Sequence, residues 1–205
     1  STSEYKMNHK DLLTFDIYRS IVLSKYIEQW GQPLERTIFK HDHFANIEIY
    51  SFPATSKQSI HRLVTIGAGL VHQHHTDPVN FEYCFIFGEH LNEEQEVQMV
   101  EYLMNITTHL TTHRPNNTFR LISESHLTPA FLKLPAILVD EARGECESLS
   151  DLYISDQLNH SCLMRLIPLY ASEAALILEQ GIDAFSELEE QYEFSMIDFH
   201  RPKIV

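Results

Sequence analysis

The sequence predicts an α+β fold: a single domain whose mixed, mostly antiparallel β-sheet is covered by helices on both faces. Three observations lead there. Short apolar runs with strand-like alternation recur along the chain. Helix-period segments with recognisable start and stop residues separate them. A length of 205 residues, 43% of them hydrophobic, supplies one sizeable core and not two large ones. No internal repeat, low-complexity tract or Gly/Ser-rich linker divides the chain.

The first residues, Ser1 to Asn8, are polar, and residues 1–13 are expected to form a flexible segment ahead of a domain spanning 14–205. Phe15, Tyr18, Ile21, Val22, Lys25, Tyr26 and Trp30 follow a helical period, and Gly31 with Pro33 makes a stop, so the first helix is expected over Thr14–Trp30. Ala45–Phe52 and His61–Ile66 read as neighbouring strands joined by the turn-rich Pro53–Ser59 segment. Phe81–Phe87 carries large groups on both faces, Phe81, Tyr83, Phe85 and Phe87 against Glu82, Cys84 and Ile86, which marks an inner strand.

Asn92 and Gln95 have the spacing of a capping box. The helix behind them is expected over Glu93–His109, burying Val97, Val100, Leu103 and Met104 and placing Glu93, Glu94 and Glu96 where its dipole favours negative charge. Phe119–Ser123 and Ala136–Asp140 read as short strands, Glu141–Asp151 as a polar loop, and Cys162–Leu169 as a strand closing at Pro168. Ser172 is placed to cap a helix running to Gly181, and a second acidic helix is expected over Ile182–Glu193.

Composition excludes several classes. No apolar run approaches the roughly 18–20 residues of a membrane span, and no signal peptide opens the chain, which therefore reads as cytoplasmic. Cys84, Cys146 and Cys162 are an odd set with no C-x-x-C spacing, so neither a disulfide framework nor a thiolate zinc site is expected. The formal charge is -14, and it is regional. Leu63–His113 contains seven acids and no Lys or Arg, Leu166–His200 contains eight and again none, and the remainder is close to neutral. Such a field repels nucleic acid and anionic membranes and speeds encounter with a basic protein.

Thirteen histidines recur as His41-x-His43, His72-x-His74-His75 with Asp77 nearby, and His109 with His113. Each spacing can bring two imidazoles onto one face, as a divalent metal requires. None adds the third ligand and general base of a catalytic zinc site, so no metal ligand, cofactor or catalytic residue is assigned. Phosphate-loop, dinucleotide and nucleophile-elbow motifs are missing. Gly67-Ala68-Gly69 is better suited to a tight turn than to a phosphate, because no base follows it.

Several motifs occur in a telling order: Ile47-Glu48-Ile49-Tyr50-Ser51-Phe52-Pro53, then Leu63-Val64-Thr65-Ile66-Gly67, then Phe81–Phe87 with Glu82, then Leu166-Ile167-Pro168-Leu169 with Glu173 and Gly181, then Arg201-Pro202. From Ile21 to Pro202 this order resembles the suppressor-of-fused-like family. Ala68-Gly69 stands where that family often has Met-Ser, and His72–His75 falls in a region that does not align with it. Small bacterial members look like immunity proteins that neutralise secreted toxins, many of them basic nucleases.

The resemblance therefore implies a non-catalytic binding protein whose partner is a cognate, basic, nucleic-acid-targeting toxin. The acids expected at its interface are either Glu187, Glu189, Glu190 and Glu193 near the C-terminus or Asp140, Glu141, Glu145, Glu147 and Asp151 in the central loop. Two alternatives stay open: a metal-dependent hydrolase or nuclease using the histidine clusters, and a regulatory adaptor that takes a peptide strand along a sheet edge.

Overall fold

In a computed structural model, residues 9–40, 46–71, 79–112, 120–151 and 160–205 are described. Seven strands form one sheet in the order β1-β2-β3-β4-β7-β6-β5, where β1 is Glu35–Phe39, β2 Ile47–Phe52, β3 His61–Ile66, β4 Val79–Phe87, β5 Arg120–Ile122, β6 Ala136–Glu141 and β7 His160–Leu169. The central pair, β4 with β7, is parallel, and every other pairing is antiparallel. Among the described residues there are four α-helices: α1 (His9–Trp30), α2 (Glu93–Thr112), α3 (Ala171–Gln180) and α4 (Ile182–Glu189).

The sheet is covered on both sides, as the sequence predicts. On one face Leu63, Tyr83, Phe85, Phe87, Val139 and Leu166 pack under Met99, Tyr102, Leu103, Ile106 and Leu110 of α2, with Phe85 and Tyr102 stacked at 5.7 Å. On the other, Tyr18, Val22, Tyr26 and Trp30 of α1 cover Tyr50, Phe52, Val64, Cys84 and Ile86. Beside them Ala174, Ile177 and Phe185 of α3 and α4 cover Ala136, Leu138 and Leu169. β4 is the middle strand of the seven, which is why both of its faces carry large side chains.

Several boundaries differ from expectation for identifiable reasons. α1 begins at His9, inside the segment expected to be flexible. β1 was not foreseen: its first four residues are exposed on both faces, as befits an edge strand, so no apolar alternation marks it. Val97 is 53% exposed, because the buried stripe of α2 runs through Met99, Tyr102, Ile106 and Leu110, about half a turn away. Asn92 and Gln95 do close the capping box, at 3.1 and 2.8 Å.

β7 continues through Pro168 to Leu169. Ser172 does not cap α3: the helix opens on Tyr170, whose N–H is met by Glu173 at 2.8 Å, while the Ser172 hydroxyl donates to the Val205 carbonyl. α4 ends at Glu189, four residues early. The stretch read as polar loop buries Ala142, Cys146 and Leu149 against α1.

Candidate functional site

Two acids that the family-like motifs single out are internal. Glu82 is fully buried on β4, and its carboxylate accepts from Tyr18 Oη (2.7 Å), Thr65 Oγ1 (2.8 Å) and the N–H groups of Gly67 (3.3 Å), Ala68 (3.1 Å) and Gly69 (2.9 Å). Successive N–H groups converging on one point form an anion-binding nest. The nest needs Gly67, whose φ is +114° and whose Cβ would stand 2.5 Å from the Asn46 carbonyl oxygen. The glycine cluster is thus an anion site filled by the chain's own carboxylate. Burial pushes Glu82 up to about 7, against the pull of those donors.

Glu173 plays the corresponding part at the other end of the sheet. It grips Arg201 with both oxygens, at 2.8 and 2.7 Å, and accepts from the Ile204 N–H at 3.0 Å, with neither side chain of the pair exposed. The closing Arg-Pro segment is pinned to α3 by this pair. Glu82 and Glu173, one from each acidic window, add nothing to the surface field.

Ser51, His61 and Glu96 lie together without forming a nucleophile. Ser51 Oγ donates to Glu96 at 2.7 Å, so His61 Nε2, 2.9 Å from the same oxygen, is assigned as its donor. In a catalytic triad the acid holds the histidine and the histidine takes the serine proton. Here the acid holds the serine. Desolvation lowers the His61 pKa, against the pull of Glu96.

Among the described residues no group of three or more His, Cys, Asp or Glu is arranged to hold a metal. Of the histidine clusters, His41, His43, His72, His74, His75 and His113, and with them Asp77, lie outside the described residues. His109 is on the exposed side of α2. No helix among the described residues is long and apolar enough to cross a membrane.

The nine acids expected at an interface divide. Glu145 is committed inside the protein: its carboxylate takes Arg62 Nε at 3.1 Å, Arg62 Nη2 at 2.8 Å and Trp30 Nε1 at 2.6 Å. Glu147 is exposed and accepts from the Gly144 N–H at 3.1 Å. Asp151 closes a short 3-10 turn, and its side chain lies outside the described residues. Glu141, Glu187, Glu190 and Glu193 are exposed, and Asp140 and Glu189 are half-buried.

What the sequence did not show is that Asp140 and Glu189, one acid from each group, lie within electrostatic reach of each other. Phe185 of α4 shares a core cluster with Leu138 of β6, two residues before Asp140 on the same sheet face. Burial raises the Glu189 carboxyl while Arg165 and Arg201 lower it and Asp140 raises it. At the centre stands Arg165 of β7, which faces Cys84 on one neighbouring strand and Asp140 on the other. Desolvation lowers its pKa, and its Nε and Nη2 find no acceptor among the described residues. The signal for it was legible: Arg165 is the only charged residue in the apolar run Cys162–Leu169.

No family model matches the chain, and no curated protein does. The fold itself has counterparts. A suppressor-of-fused homologue from Neisseria gonorrhoeae superposes with a TM-score of 0.70 over 93% of this chain and 98% of its own, at 11% identity. The chain has the suppressor-of-fused fold. The Sufu–Fu complex shares it more distantly, with a TM-score of 0.56 and 12% identity over 85% of this chain and 84% of the matched one. The structure gives the ordered motifs of this suppressor-of-fused fold a physical basis: Thr65 to Gly69 builds the nest, Glu82 fills it, and Glu173 holds Arg201.

Proposed function

We propose that this chain is an immunity protein: a non-catalytic, cytoplasmic domain that binds a basic, nucleic-acid-targeting toxin and blocks it. The observation that carries this reading is that α4, whose Phe185 shares a core with Leu138 of β6, sets Glu189 within electrostatic reach of Asp140, an acid distant in sequence. Asp140, Glu141, Glu187, Glu189, Glu190 and Glu193 form no ion pair among the described residues. The charge of the exposed four, Glu141, Glu187, Glu190 and Glu193, is available to an outside partner, which an acidic surface steers in and holds in place of the phosphates the toxin is built to bind. That a protein of this fold occurs in the Sufu–Fu complex supports a binding role.

Calorimetric titration of the full chain with the toxin encoded beside its gene tests the proposal. A stoichiometric complex that abolishes the toxin's activity is the expected result, and no heat at micromolar concentrations contradicts it. The adaptor reading has one observation in its favour, the exposure of β1 on both faces at the sheet edge. It expects binding to survive charge reversal of α4 and to fail when proline replaces Thr37.

A further inference from the structure

Among the described residues Arg62, Arg165 and Arg201 lie against the interior, and two of these hold a carboxylate with two nitrogens. Arg62 presents Nε and Nη2 side by side to Glu145, at 3.1 and 2.8 Å, and Arg201 presents Nη1 and Nη2 to Glu173. Arg165 lies on the same sheet face as Arg62, since Arg62 faces Ile86 and Arg165 faces Cys84, two residues apart on β4. Its Nε and Nη2, the edge with which Arg62 grips Glu145, are closed off from solvent and meet no acceptor among the described residues. The residue as a whole is only half-buried, and Nη1 of the same guanidinium is not among the closed-off atoms.

The acids around Arg165 do not satisfy it. Asp140 is its cross-strand partner, yet Asp140 Oδ1 is engaged by the Glu141 N–H at 2.8 Å. Glu145 is held by Arg62 and Trp30. Glu189, on α4, is close enough to act on Arg165 electrostatically but makes no ion pair with it. A buried guanidinium with unmade hydrogen bonds is unfavourable, and a bidentate carboxylate is the group its planar fork fits best.

Resting on the proposed binding role, we infer that Arg165 is the seat for a carboxylate of the partner, an Asp or Glu side chain set among the partner's basic residues. The surrounding charge explains why the carboxylate must come in that company. Asp140 and Glu189 oppose a free anion, whereas a carboxylate flanked by Lys or Arg brings the cations that satisfy them. The arrangement also gives selectivity, since an acidic surface alone attracts any basic protein. A partner with no acid at this point leaves its own positive charge facing Arg165.

The test uses the full chain and three end-blocked peptides, Lys-Glu-Lys, Lys-Gln-Lys and Lys-Lys-Lys, followed through the arginine Nε–H signals in nitrogen-15 NMR. Lys-Glu-Lys is expected to move the Arg165 signal, leave that of Arg62 in place, and bind roughly five-fold more tightly than Lys-Gln-Lys. Arg165→Lys, which keeps the charge and loses the fork, and Arg165→Gln are both expected to erase that preference. Equal binding of the first two peptides to the unaltered chain overturns the inference and leaves the acidic surface standing. Failure of all three, Lys-Lys-Lys included, overturns the binding surface along with it. The peptide comparison on the unaltered chain stands whether or not either variant folds.

Discussion

Replacing Glu82 with alanine leaves five donors facing a space their acceptor has left. The Tyr18 and Thr65 hydroxyls can turn elsewhere, but the N–H groups of Gly67, Ala68 and Gly69 are fixed by the backbone. At roughly 1–2 kcal/mol for each of the three stranded N–H groups, Glu82→Ala costs about 3–6 kcal/mol, a large share of the roughly 5–15 kcal/mol typical of a domain. Glu82→Gln is milder, about 1–3 kcal/mol, because its amide oxygen can face Tyr18, Gly67 and Gly69 while its NH2 opposes the Ala68 N–H.

The cost varies with pH in a defined direction. The folded-state pKa of Glu82 is pushed up to about 7 from an ordinary 4.5, so the native protein holds this proton more tightly than the unfolded chain does. Its contribution is fully present below pH 4.5 and is lost as pH rises to about 7. The gap between the unaltered protein and Glu82→Ala is therefore widest at and below pH 4.5 and narrows from there toward neutrality. Urea unfolding at several pH values measures it. A gap under about 1 kcal/mol in mild acid, or one that widens as pH rises, refutes the reasoning.

Four further outcomes follow from particular contacts. Glu173→Gln leaves Arg201 buried without its counter-charge and should cost about 3–5 kcal/mol in denaturant unfolding, loosening the C-terminal segment first. Gly67→Ala forces a Cβ to within 2.5 Å of the Asn46 carbonyl oxygen at φ +114°, so a loss of at least about 2 kcal/mol is expected by thermal unfolding. Glu145→Ala should shift the fluorescence of Trp30, the single tryptophan, and lower stability by about 2 kcal/mol while leaving association with a basic partner little changed. Reversing charge at Glu187, Glu190 and Glu193 together should slow that association about ten-fold at low salt, leave stability unchanged, and flatten the salt dependence seen by stopped flow.

The architecture was readable where side-chain period and local chemistry agree. β3 falls on its expected residues, and the Asn92–Gln95 box forms because a cap depends on four consecutive residues. β1 was not readable, since an edge strand exposed on both faces has no core to impose alternation. Tertiary partners decided the rest: Tyr170 displaced Ser172 as the helix opening because Glu173 reaches back to its N–H, and Val97 lost its buried place to a stripe centred on Tyr102.

The acids show the same division. Their regional excess was legible, but their fates were not, because burial depends on partners far away in sequence. Glu145 meets Arg62 across 83 positions, and Glu82 meets Tyr18 across 64. The meeting of Asp140 with Glu189 required α4 to dock on β6, and only Arg165, alone among apolar neighbours, hinted that this place was unusual.

Hydrogen exchange of the full chain with and without the toxin encoded beside its gene tests the central claim most directly. Binding through the acids of β6 and α4 predicts slowed exchange at the end of β6 and along α4, with β1 unchanged. Protection confined to β1, with α4 exchanging as in the free protein, would contradict it.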